Sequence, residues 1–179
     1  MEVADGAYWL RMPLPFELDH INLWLLDDGA AWTLVDTGAA AAVTRDCWER
    51  MFADNVLGRP VQRLVVTHFH PDHLGLARWL AAHFGCEVLM SSLTFSQARN
   101  LVFPPEREND VDIAQFCLAH DVTNAAEFSL IHGGGLYRQV VDGLPPAWTE
   151  LRPGDNLTIG NRTWELYFLG GHAEGHVAL

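Results

Sequence analysis

Apolar positions in the first forty residues run together or alternate, and the elements they predict are strands. Residues 6–12 (GAYWLRM) are short and aromatic. Residues 20–26 (HINLWLL) form an apolar run, and 32–35 (WTLV) follow after Asp27-Asp28-Gly29. Two apolar runs around a D-D-G turn predict a β-hairpin. The period then changes. Between Ala39 and Asp54, Val43, Cys47, Trp48, Met51 and Phe52 recur at steps of three and four, which predicts a helix over 39–54 with one buried stripe. Gly58-Arg59-Pro60 ends it. A buried strand rich in β-branched residues is predicted over 61–67 (VQRLVVT), a second helix over 74–84 with Gly85 at its C-cap, and a further strand over 86–90. This order of strands and helices belongs to a layered α/β or α+β domain.

From Ser92 the pattern is helical for some forty residues. SLTFSQARNLVF, VDIAQFCLAHD and NAAEFSLIH are separated by Pro104-Pro105 and by 121–124, and Gly133-Gly134-Gly135 closes the stretch. A segment of about 40 residues buries too little core to fold alone, so 92–135 reads as a helical insertion in a single domain spanning 1–179. Leu144-Pro145-Pro146 marks a loop. Strands are predicted over 156–159 and, after a Gly160-Asn161 turn, over 163–169 (TWELYFL). That strand runs into Gly170-Gly171-His172-Ala173-Glu174-Gly175-His176, and Val177 begins another.

Composition narrows the picture. A length of 179 residues suits one domain, and 49% hydrophobic with 19% charged residues is not the profile of a disordered chain. Eleven basic against 23 acidic side chains give a net charge of −12, which disfavours binding to a nucleic-acid backbone. No apolar run approaches the roughly 20 residues of a membrane-spanning helix. The start, MEVADGAYWL, lacks a secretory pattern. Cys47, Cys86 and Cys117 are scattered and odd in number. They suit neither a disulfide framework nor a cysteine zinc site, so a cytoplasmic location is expected.

The chemistry concentrates in Thr67-His68-Phe69-His70-Pro71-Asp72-His73, where four potential metal ligands follow a strand. A divalent ion needs imidazoles or carboxylates converging at about 2.0–2.2 Å. In extended chain His68 and His70 point the same way. Asp72 and His73, beyond Pro71, are aimed at a second position beside the first. The spacing suits two adjacent metals better than one tetrahedral structural site. His172, after a distant strand and two glycines, is the candidate third ligand beside His68 and His70; as an isolated residue it also reads as a turn histidine. His176 fits a structural or supporting role. Asp36, in Asp36-Thr37-Gly38, either accepts a hydrogen bond from a ligating imidazole or caps the following helix.

Taken together, Asp36-Thr37-Gly38, the run from His68 to Gly75 (HFHPDHLG) and Gly171-His172-Ala173-Glu174-Gly175-His176 resemble the metallo-β-lactamase fold superfamily, on its hydroxyacylglutathione hydrolase (glyoxalase II) side. The resemblance spans nearly the whole chain. It implies an α+β fold, a four-layer αββα sandwich with a metal site at one edge of its sheets. It implies that His68, His70 and His172 bind one metal, that Asp72 and His73 bind a second, and that Asp36 supports the site from outside the ligand set. Members of the family continue to a bridging Asp and a last His. This chain reaches Leu179 before either, so the expectation is a partial record of a longer protein, lacking strands of the second sheet, or a chain completed by a second subunit in a homo-oligomer.

The activity implied is metal-dependent hydrolysis, with a metal-bound hydroxide cleaving a small ester, thioester or lactone and Asp72 orienting the nucleophile. Zinc is the default ion, one or two per complete subunit, with iron or manganese as alternatives. Two other readings stand beside it. One is a diiron oxidoreductase of the same fold, against which His70 speaks; the other is a degenerate, non-catalytic binding domain. The helical insertion and the loop to Trp148 are expected to cover the site. Phe95, Tyr137 and Trp148 are candidates for pocket or core, and His20 for the pocket or the surface. No Lys/Arg cluster suggests a clamp for a glutathione carboxylate or a phosphate.

Overall fold

A computed structural model of the chain describes residues 1–104, 119–121 and 135–179. The helical readings over 111–118 and 124–132, the three glycines as far as Gly134, and Cys117 lie outside them. Among the described residues, seven strands form one sheet in sequence order. They are β1 (Glu2–Ala4), β2 (Ala7–Pro13), β3 (His20–Asp28), β4 (Ala31–Val35), β5 (Val61–Val65), β6 (Glu87–Ser91) and β7 (Thr149–Leu151). The first four pair antiparallel. From β4 to β7 the pairing is parallel, which requires crossovers. These are α1 (Ala42–Ala53) between β4 and β5, then α2 (Pro71–Leu74) and α3 (Ala77–Phe84) between β5 and β6. After β6 come α4 (Ser92–Val102) and α5 (Gly135–Gln139). Two small sheets follow, β8 (Asn156–Ile159) with β9 (Arg162–Glu165), and β10 (Tyr167–Leu169) with β11 (His176–Ala178). No helix of the described residues is long and apolar enough to cross a membrane.

The large sheet is buried on both faces, which is why its central strands are apolar at successive positions. Leu34, Leu64, Val66, Val88 and Met90 face the helices, packing with Trp48 of α1, Leu80 of α3 and Ala98 of α4. Their neighbours Val35, Val65 and Leu89 face the other way, against Ile159, Leu166 and Val177 of the small sheets. Helices, large sheet and small sheets make three layers of the expected sandwich. The fourth, an outer helical layer, is not seen among the described residues.

Several predicted elements shift for identifiable reasons. Asp27 and Asp28 belong to β3, paired with Trp32 and Ala31, so the hairpin turns at Gly29-Ala30 rather than at D-D-G. The helix predicted from Ala39 starts at Ala42. Ala40 N–H is bonded to Val140 O at 2.8 Å and Ala41 stays extended, so tertiary hydrogen bonds override the alanine propensity. The helix predicted over 74–84 is two helices: α2 begins earlier, with Pro71 at its first position, and α3 follows Gly75-Leu76. Gly85 caps α3 in the left-handed conformation at φ 64, its N–H on Ala81 O. The strand predicted over 163–169 divides at buried Leu166. Its in–out alternation continues, but β9 and β10 pair with different partners. β7 went unread behind Leu144-Pro145-Pro146.

Because β4, β5 and β6 run parallel, their carboxyl ends share one edge of the sheet. Asp36 follows β4, the run from Thr67 to His70 follows β5, and Ser91 ends β6. In open parallel sheets this edge is where ligands bind.

Candidate metal centre

Three imidazoles from two remote segments meet at that edge. His68 Nε2 lies 3.0 Å from His70 Nδ1, His70 Nδ1 lies 3.0 Å from His172 Nε2, and His172 Nε2 lies 3.1 Å from His68 Nε2. A proton can bridge one side of such a triangle but not all three. A cation accepts a lone pair from each nitrogen at once, and zinc–imidazole distances of about 2.0–2.1 Å are compatible with nitrogens this close. The donor set therefore fits a divalent ion. His68 and His70 also meet the electrostatic condition for one, that a ligating imidazole be neutral. Burial, reinforced by the neighbouring histidines, pushes the His68 pKa down to about 2. Burial and then His172 lower that of His70.

The His68 ring is aimed by a relay. The Asp36 carboxylate accepts the Thr67 backbone N–H at 2.8 Å and the Thr67 hydroxyl at 2.8 Å. With that proton committed, Thr67 Oγ1 accepts from His68 Nδ1–H at 2.9 Å, leaving Nε2 unprotonated towards the triangle. Asp36 is 3% exposed and sits at φ 63, a left-handed conformation that Asp tolerates at some cost. It does not cap α1, whose N-cap is Ala41. Its Oδ2 accepts instead from His73 Nδ1 at 2.8 Å.

His73 joins two carboxylates, because its Nε2 lies 3.3 Å from Asp72 Oδ2. Burial works against its charge, but the hydrogen bonds to Asp36 and Asp72 prevail and raise the His73 pKa to about 10. Burial likewise opposes ionisation of Asp72, and the His73 contact outweighs it, lowering the Asp72 pKa. The His68 and His73 rings are 3.9 Å apart between centroids, so the Asp72–His73 pair adjoins the triangle. The ring of His176, at the start of β11, lies 4.5 Å from that of His68 and borders an apolar cleft with Trp24, Val35 and Trp164. Burial lowers the His176 pKa.

The segment carrying His172 is tied down on both sides. Val177 N–H bonds Thr67 O at 2.9 Å, and Ser91 Oγ donates to Gly175 O at 2.7 Å. Thr37 Oγ1 donates to His73 O at 2.7 Å and so braces α2. Thr67, Ser91 and Thr37 carry these supports, and sequence reasoning had given them no role. Only Thr67, directly before the H-x-H run, and Thr37, in D-T-G, stood beside a signal.

The remaining candidates separate. Tyr137 is buried, donates its hydroxyl to Phe69 O at 2.6 Å and borders a cavity next to His70. Phe95 and Trp148 stack on each other at 4.8 Å and pack against the helical side of the core. His20 is engaged with Asp19 and Arg11 at the surface.

The sequence profile of the Metallo-beta-lactamase superfamily matches residues 17–179. A beta-lactamase domain protein from Burkholderia ambifaria has the same fold with a TM-score of 0.79 at 36% identity, over 99% of this chain and 49% of that one. A metallo-beta-lactamase family protein from Thermus thermophilus gives a TM-score of 0.77 at 26% identity, over 98% of this chain and 56% of that one. Over 74 residues the chain is 35% identical to the probable metallo-hydrolase YqjP of Bacillus subtilis (strain 168), a match covering 41% of this chain and 23% of that protein. The chain thus spans about half the length of the two solved relatives. Matched by the profile over residues 17–179 and sharing its fold with these structures, the chain belongs to the metallo-beta-lactamase superfamily.

Proposed function

We propose that this chain carries the metal centre of a hydrolase of small esters, thioesters or lactones, on the hydroxyacylglutathione hydrolase side of the superfamily. The observation that carries the reading is the triangle of ring nitrogens, 3.0, 3.0 and 3.1 Å on its sides. The name of the Bacillus relative, a probable metallo-hydrolase, agrees with it. A divalent ion, zinc by preference and iron or manganese as alternatives, supplies Lewis acidity that lowers the pKa of water towards about 7.

The chain's own groups do the rest. His68, His70 and His172 would hold the first ion through their ring nitrogens. Asp72 would orient the attacking water and, with His73, would hold a second ion. To do so His73 would release the Nε2 proton that faces Asp72 and keep the Nδ1 proton on Asp36. Asp36 and Thr67 keep the two ligand clusters in register, and His176 packs against His68. Water adds across the acyl–oxygen or acyl–sulfur bond, giving a carboxylic acid and an alcohol or thiol. The net charge of −12 suits an uncharged small molecule better than a polyanion.

The test is elemental analysis of the purified chain beside an assay with activated thioesters and lactones. Zinc should co-purify, hydrolysis should need it, and His70→Ala should abolish both. Hydrolysis that survives complete metal removal would defeat the proposal.

A further inference from the structure

A cavity of about 380 Å³ opens beside His70, bordered by Phe16, Phe69, Pro71, Leu101, Leu136 and Tyr137. His70 belongs to both this cavity and the nitrogen triangle, so whatever fills the cavity lies next to the reacting centre. The volume falls in the range of small-molecule sites. Among the described residues that border it there is no Asp, Glu, Lys or Arg. The Tyr137 hydroxyl on its wall is already used, bonded to Phe69 O at 2.6 Å. Phe16 and Leu136 remain 41% and 40% exposed at its rim.

Most of the described arginines are engaged with other partners. All eleven basic residues are arginines. Arg11, Arg45, Arg59, Arg63, Arg152 and Arg162 pair with carboxylates. Arg138, one position from Tyr137, donates to Leu101 O at 3.0 Å. An anionic substrate arm would meet no counter-charge from the described residues of the cavity wall and would lose its hydration there. An apolar arm loses only unfavourable hydration.

We infer that this cavity binds the apolar arm of the substrate, making the preferred substrate an ester or thioester of an aliphatic or aryl-aliphatic acid rather than of a charged one. The inference rests on the hydrolase reading for its chemistry, in which water cleaves the acyl bond and releases the free acid, but not for the pocket itself. Burial of each methylene predicts about a fourfold gain in kcat/KM per carbon from acetyl towards hexanoyl.

Two measurements on the full chain test it. The first titrates the metal-free protein with the neutral fluorophore N-phenyl-1-naphthylamine and displaces it with straight-chain alcohols of four to eight carbons. Leu136→Glu should weaken binding at least tenfold, whereas Leu169→Glu, at an exposed position on β10, should not. The second follows kcat/KM across acyl thioesters of increasing length, where Leu136→Glu should flatten the rise. Fluorophore binding indifferent to Leu136→Glu, or hydrolysis with no chain-length preference, overturns the pocket and leaves the hydrolase reading standing. Leu136-dependent fluorophore binding in a protein that hydrolyses no ester supports the pocket and counts against the hydrolase reading.

Discussion

Thr67 is the smallest element on which the centre depends. Its backbone N–H and hydroxyl occupy the Asp36 carboxylate, and the same oxygen receives the His68 ring proton. One hydroxyl therefore decides which imidazole nitrogen faces the triangle. Replacing it by the isosteric Thr67→Val leaves a buried carboxylate short of a donor and His68 Nδ1 without an acceptor. Zinc affinity should fall by about 10–100-fold, the usual effect of losing such an outer partner. Stability should fall by about 1–3 kcal/mol. Thr67→Ser should restore the affinity. A competition titration against a chelator measures this, and an unchanged affinity in Thr67→Val would remove Thr67 from the ligand-orienting role. The H-x-H-x-D-H run was legible in the sequence because its spacing alone suggests ligands. Thr67 was not, because a threonine before a histidine is ordinary until Asp36 is seen beside it.

At the scale of elements, the junction between β6 and α4 reaches the candidate metal centre without bearing any proposed ligand. Ser91 caps α4 by accepting the Thr94 N–H at 3.0 Å, and it donates to Gly175 O at 2.7 Å. Gly175 has φ +72, and a Cβ there would lie 2.5 Å from Leu93 Cβ, so the loop from His172 to β11 is pressed onto the start of α4. Ser91→Ala removes both bonds, and Thr94 Oγ1, 3.4 Å from Gly175 O, is a poor substitute. The cap alone is worth about 1 kcal/mol. Freeing the loop should speed hydrogen exchange at the Val177 amide, now held on Thr67 O, by about tenfold, equivalent to about 1.4 kcal/mol. Mass-spectrometric exchange over 170–179 reads it, and protection equal to the native protein would show that the loop holds itself.

At the scale of the whole molecule, one carboxylate far from the histidine cluster joins the layers. Asp28, at the end of β3, pairs with Arg63 of β5, accepts from Thr33 of β4 at 2.7 Å and takes the Gly160 N–H of the β8–β9 turn at 2.8 Å. Arg63 continues to Thr158 O at 2.8 Å. Burial alone would raise the Asp28 pKa. The hydrogen bonds from Gly160, Thr33, Gln62 and Arg63 overcome it and bring the value from 3.8 down to about 2. A depressed carboxylate stabilises the fold above its unfolded pKa and loses that contribution as pH falls through the folded value. Asp28 should thus contribute up to about 2 kcal/mol near neutrality that disappears between about pH 4 and 2. Urea unfolding across that window should show the loss in the native protein and a correspondingly smaller one in Asp28→Asn. The sequence announced Asp28 only as part of a turn, because its partners lie on other strands and a distant hairpin. The same distinction holds for the whole chain. The apolar periods, the Gly85 cap and the spacing of the candidate ligands from His68 to His73 depend on neighbours within a few residues, and the sequence by itself determined them. The exchange of partners at Leu166, the pairing of β7, the extended Ala40-Ala41 and the meeting of His70 with His172 across 102 residues were decided only by the tertiary structure. Backbone hydrogen bonds and converging side chains are satisfied by whatever the closed chain brings within about 3 Å, and no local pattern encodes that.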